Sequence, residues 1–153
     1  MHASTEPAQI AIIGAGASGL MTAISVARAI KDAGNNPKQS RIILLDGAKK
    51  IGIKILVAGG GRCNVTHHEV DEHQYATTKP AIVRSVLKRF SASDSMEFFA
   101  GLGVTLKQEP TGKMFPTTDD AHTVLHALLD EADRLGIQII HPWRVESVTK
   151  TDD

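Results

Sequence analysis

The chain has 153 residues with 17 basic and 17 acidic side chains, so its formal net charge at pH 7 is zero. That length suffices for one domain with a real core, and the charge balance gives no footprint for nucleic acid or a membrane surface. Cys63 is the single cysteine, which excludes an internal disulfide and suits a reducing, cytoplasmic compartment. The opening MHASTEPAQ lacks the basic and apolar regions of a secretory leader, and no apolar run approaches bilayer-spanning length. With few aromatic residues, a stacking platform for single strands is also excluded.

Residues 1–8 are predicted to be a disordered lead-in, and residues 9–13 a buried parallel strand carried by Ile10, Ile12 and Ile13. Gly14-Ala15-Gly16-Ala17-Ser18-Gly19 then fits G-x-G-x-x-G. In that pattern the first glycine makes the tight turn, the second admits a pyrophosphate to the backbone, and the third lets helix pack on strand. A helix is predicted from Ala17 to about Ala33, its apolar face formed by Leu20, Ile24, Ala27, Ala29 and Ile30. Its free N–H groups and positive dipole end would face the phosphates. Gly34 stops it. After a polar loop at 35–40, residues 41–45 read as a second buried strand ending at Asp46. Strand, helix and strand in this span form a right-handed βαβ unit. A carboxylate at Asp46 is placed to accept ribose hydroxyls and to repel a 2′-phosphate; the plainer alternative is an Asp-Gly turn with Gly47.

Residues 47–69 hold two glycine-rich turns among Lys49, Lys50, Lys54 and Arg62. Gly59-Gly60-Gly61 should be neither regular helix nor strand, because three glycines carry maximal backbone entropy. Such a run is accepted where backbone must approach a ligand or adopt positive φ; a flexible surface loop is the bland alternative. Arg62, Cys63 and Asn64 follow as a fork donor, a thiol and an amide. Cys63, His67, His68 and His73 match no standard zinc spacing, so no metal is expected. No base partner marks Cys63 as a nucleophile.

Beyond a polar loop at 71–79, a helix is predicted from Pro80 through Phe90 and a short one from Ser95 to Ala100, ended by Gly101 and Gly103. A short strand at 104–106, a turn at 109–112 and an extended piece at 113–116 come next. Thr117, Thr118 or Asp119 should cap a helix whose stripe runs from Ala121 through Val124, Leu125, Leu128 and Ala132 to Leu135, with Gly136 as its stop. Residues 137–140 read as a third buried strand, and 145–148 as the start of another. His122, His126 and His141 show no ligand spacing and read as surface positions.

Three stretches resemble the aminoacetone oxidase or BaiN-like family of FAD-dependent oxidoreductases. They are IAIIGAGASGLMTAI at 10–24, GIKILVAGGGRCNVT at 52–66, and the block from Leu102-Gly103-Val104 through Gly112-Lys113-Met114-Phe115-Pro116. The second is highly specific, and together they cover about residues 9–148. This chain departs from the family pattern at Asp46 (usually glutamate), at Ile53 (usually basic) and at Lys113-Met114 (usually Arg-Val). The resemblance implies an α/β, Rossmann-like FAD/NAD(P)-binding domain of the two-dinucleotide-binding-domain flavoprotein type, over residues 9–153. It also implies that this is the N-terminal part of a longer, two-domain chain, truncated here, with the C-terminal remainder absent. Strand order points the same way: with 137–140, 41–45 and 10–13 side by side, nothing covers the far side of the first strand, an exposure natural domains avoid.

On this reading Gly14, Ala15, Gly16, Ala17, Ser18 and Gly19 cradle the pyrophosphate and Asp46 holds the adenosine ribose. The resemblance places Val145 beside adenine. Lys54 and the turn Gly60-Gly61-Arg62-Cys63-Asn64 would approach the ribityl chain and flavin edge, where positive charge stabilises reduced flavin. FAD is the expected cofactor, with NAD(P)H as an electron donor and a small molecule as substrate. No catalytic acid or base can be named. The expected partners are a further copy or the rest of the sheet, along the exposed edge, and neither nucleic acid nor membrane. The alternatives are an NAD-binding dehydrogenase domain, in which the GGGRCN turn has no role, or a non-catalytic subunit that needs a partner chain.

Overall fold

The computed structural model describes residues 8–151. All of the predicted lead-in except Ala8 lies outside them. The chain divides into two compact units, residues 1–54 with 128–153, and residues 55–127.

The first unit is built on a parallel sheet of β1 (Ile10–Ile13), β2 (Ile42–Leu45) and β6 (Gln138–Ile140), in the order β1-β2-β6. Registers run Ile10 to Ile42 through Ile13 to Leu45, and Ile43 to Gln138 through Leu45 to Ile140. Both pairings and the strand order follow the sequence reading. β1 pairs with β2 alone among the described residues, so it forms an edge on which Ile13 stays 59% exposed. Helix α1 (Ala17–Asp32) lies on the sheet through Leu20, Ala23, Ile24 and Ala27, all fully buried. Its C-terminus closes as a Schellman motif: Gly34 takes φ 81°, its N–H reaches Lys31 O at 2.9 Å, and Asn35 N–H reaches Ile30 O at 3.1 Å. The polar loop that follows holds a 3-10 turn, Pro37–Gln39, capped by the Asn36 side chain. Helix α5 (Ala121–Arg134) spans both units, and its later half supplies Leu128, Ala132 and the following Leu135 to this core. One charged side chain is buried there: Glu131, 6% exposed, accepts two bonds from Arg28 and two from Arg134. Its carboxyl is held below its ordinary value, first by the Arg134 hydrogen bonds and then by Arg28.

The second unit holds a small antiparallel sheet, β3 (Thr66–His67), β5 (Lys113–Pro116) and β4 (Leu106–Gln108), in the order β3-β5-β4. Its helices are α3 (Pro80–Arg89) and α4 (Ala92–Gly101). Helix α4 starts three residues before the predicted position, because Ser91 and Asp94 form a reciprocal capping box. A short helix, α2 (Ile53–Val57), joins the two units in sequence and was not predicted; five residues are too few to show helical periodicity.

Two further expectations are corrected. The helix-start side chain is Asp120, whose Oδ1 accepts the His122 N–H at 2.8 Å; Thr117, Thr118 and Asp119 do not take that place. Asp119 instead adopts φ 53° and pairs with Lys107. Residues 145–148 form no strand. Their alternation suits one, but strand propensity is realised only beside a partner, and no described strand pairs with them.

Candidate nucleotide-binding site

Where β1 ends, the chain turns at Gly14 with φ 100°, and Gly14 N–H bonds Leu45 O at 2.7 Å. Glycine 19 is fixed by space: a Cβ there would sit 1.7 Å from Gly14 O and 3.3 Å from Leu44 Cδ1. This is the close helix-on-strand approach expected of the third glycine of the motif. At Gly14 and Gly16 an added Cβ would meet nothing within 4 Å, so it would project into the open space over the turn. No side chain caps α1 at Gly16. The backbone N–H groups of its first turn therefore keep their capacity for an external acceptor. A bare glycine surface over an uncapped helix start is the shape and polarity a pyrophosphate requires.

Asp46 does more than the sequence reading gave it. Its Oδ2 accepts the Ala15 N–H at 2.6 Å and its Oδ1 accepts the Ala48 N–H at 2.7 Å. The first bond ties the end of β2 to the glycine turn; the second is the Asp-turn contact of the alternative reading. Each carboxylate oxygen has a second lone-pair site, so both tethers leave acceptor capacity for a hydroxyl.

A cleft of about 360 Å³ opens at this edge, lined by Ile13, Gly14, Leu45, Asp46, Gly47, Ala48, Trp143, Arg144 and Val145. Small-molecule sites begin near this size. Val145 lines this cleft together with Gly14 and Asp46. Trp143 and Arg144 were missed. The Trp143 N–H donates to Asp46 O at 2.7 Å, and the residue is 58% exposed. Arg144 packs over Gly47, where a Cβ would come within 3.2 Å of its own. An exposed aromatic side chain and a guanidinium in the same cleft as a carboxylate suit a base and its sugar phosphate. The Pro-Trp-Arg run after the last strand was the available signal.

The GGGRCN turn lies in the second unit. Gly59, Gly60 and Gly61 have φ of 58°, 70° and 86°, and Cys63 follows at 60°. A regular helix or strand is absent at these glycines, as expected. A Cβ on Gly59 would lie 2.6 Å from Phe115 Cε1 and 2.9 Å from Asn64 N. Arg62 is engaged within the unit. Arg62 lies 4.1 Å over the Phe115 ring, pairs with Glu109, and has Asp119 Oδ1 at 3.6 Å. Its charge is matched within the unit. Cys63 is buried, and burial pushes its thiol above its ordinary value, which disfavours the thiolate. Asn64 and Lys54 are exposed.

A parallel sheet, a glycine turn opening a helix and an acid ending the second strand together define a Rossmann-type dinucleotide-binding protein. Residues 8–153 match the family described as HI0933-like protein Rossmann domain, and the chain belongs to that family. The 3-dehydro-bile acid delta(4,6)-reductase of Clostridium scindens is 39% identical over 140 residues, 92% of this chain and 32% of that protein. Ribosomal RNA dihydrouridine synthases of Haemophilus influenzae and Escherichia coli are 34% and 31% identical, over 91% and 92% of this chain. The chain spans about a third of the length of these relatives, 32–33%. The crystal structure of Thermovibrio ammonificans THI4 shares the fold, with TM-score 0.50 and 17% identity over 87% of this chain and 38% of that one. None of the described helices is long and apolar enough to cross a membrane.

Proposed function

We propose that the first unit binds the adenosine diphosphate half of FAD. The observation that carries this is the tether from Asp46 Oδ2 to Ala15 N–H, which fixes the ribose-binding acid and the phosphate-binding turn as one piece. Gly14 and Gly16 offer the open backbone, and the α1 N-terminus the donors. Asp46 accepts the ribose hydroxyls and disfavours a 2′-phosphate. Val145 meets the adenine, and Trp143 and Arg144 flank it. The whole protein is then a flavin-dependent oxidoreductase that takes electrons from NAD(P)H and acts on a small molecule. Bound flavin supplies hydride transfer at its N5; this chain's residues hold, orient and exclude.

Calorimetry with ADP tests the reading directly. ADP should bind, Asp46→Ala should weaken it at least tenfold, and a 2′-phosphate on the ligand should weaken it as well. Equal affinity of the wild type and Asp46→Ala would contradict it.

A further inference from the structure

Helix α5 carries two histidines that nucleotide binding leaves unused. His122 and His126 are four residues apart, hence one turn apart on one face of the helix. Both are exposed, with ring centroids 5.7 Å apart and planes inclined by 53°. Two imidazoles sharing one tetrahedral zinc, at a bond length of about 2.1 Å, have ring centroids about 5.3 Å apart. The observed 5.7 Å is close to that separation.

Asp120 adds an independent constraint. Its Oδ1 lies 2.8 Å from His122 Nδ1 and also accepts the His122 backbone N–H at 2.8 Å. A neutral ring that donates from Nδ1 keeps its lone pair on Nε2. Carboxylate, imidazole and metal in line is how metal sites set the tautomer and aim of a histidine ligand.

The geometry points to a divalent-metal site on α5, formed by His122 Nε2 and a ring nitrogen of His126 and oriented by Asp120. Among the described residues no group of three His, Cys, Asp or Glu side chains is placed to hold a metal. Water completes the coordination, so the ion exchanges and does not serve the fold. Imidazole ligands select Zn²⁺, Ni²⁺ or Cu²⁺ over Mg²⁺ or Ca²⁺. A search for four-ligand zinc patterns passes over the pair, because only the helix brings it together.

Zinc titrated into the 153-residue chain, with heat as the readout, tests the site. One equivalent should bind, at least tenfold more weakly in His122→Gln and in His126→Gln. Asp120→Asn should cost roughly tenfold, the usual effect of losing such a partner. Mg²⁺ should give no heat. All three side chains are exposed, so the variants should retain the wild-type circular dichroism. Failure of the wild type to take up zinc would overturn the proposal. So would unchanged affinity in His126→Gln, which would assign the metal to other histidines. Unchanged affinity in Asp120→Asn would remove that residue from the site.

Discussion

The two units treat their polar groups in opposite ways. At the glycine turn of the first, one carboxylate holds the loop through two backbone bonds, and the donors at the start of α1 have no side-chain cap. In the second, Arg62, Glu109, Asp119 and Lys107 pair with one another, and the Arg62 guanidinium lies 4.1 Å over the Phe115 ring. Both are glycine-rich and both take positive φ, so composition does not separate them. What separates them is where the hydrogen-bonding capacity goes. A turn with unspent donors is built to receive an anion, whereas a turn whose charges are matched is built to keep its shape. The first is therefore the stronger candidate for ligand contact.

Substitutions at the glycines break the comparison most sharply. Gly19→Ala drives a methyl into Gly14 O, a backbone atom that cannot move aside without opening β1 from α1. We expect a loss of about 3 kcal/mol in chemical denaturation together with lost nucleotide binding. Gly59→Ala meets Phe115 and Asn64 at positive φ and should cost about 2 kcal/mol. Gly60→Ala, with φ 70° but nothing within 4 Å, should cost about 1 kcal/mol, the backbone strain alone. Equal losses at Gly59 and Gly60 would show that packing against Phe115 plays no part.

Acid sharpens the account of the first unit's core. The Glu131 carboxyl is lowered in the fold from an ordinary value of 4.5. A lowered folded value means that the stabilisation is complete above about pH 4.5 and is lost as pH falls through the folded value. Glu131→Gln should flatten that part of the acid unfolding curve, and an unchanged slope would place the acid sensitivity elsewhere. The smallest effect should come from Glu109→Gln. Its pair with Arg62 is partly exposed, and such pairs contribute little. Thermal unfolding should barely move, and added salt should erase the difference.

Much of the first unit was legible because its signals are local and periodic. The apolar run before Gly14, the stripe from Leu20 to Ala27 and the stop at Gly34 each announce an element within a few residues. The strand order followed from the βαβ rule and the late apolar run at 137–140. Contacts between distant residues were not legible. Arg62 and Glu109 are 47 residues apart, and Arg28 and Glu131 are 103 apart. No pattern in one sequence pairs them. Trp143 and Arg144 escaped notice for a related reason: they belong to the cleft only because the Trp143 N–H returns to Asp46 O. The strand expected at 145–148 failed because alternation describes a side-chain pattern and says nothing about whether a partner strand is present.

The most direct measurement is the visible absorbance of the chain after incubation with FAD and gel filtration, beside Gly16→Val. A flavin band that co-elutes at one per chain, and is lost in the variant, is the predicted result. A colourless wild type that binds NAD, or a variant that retains the flavin, would contradict the assignment of FAD to the glycine turn.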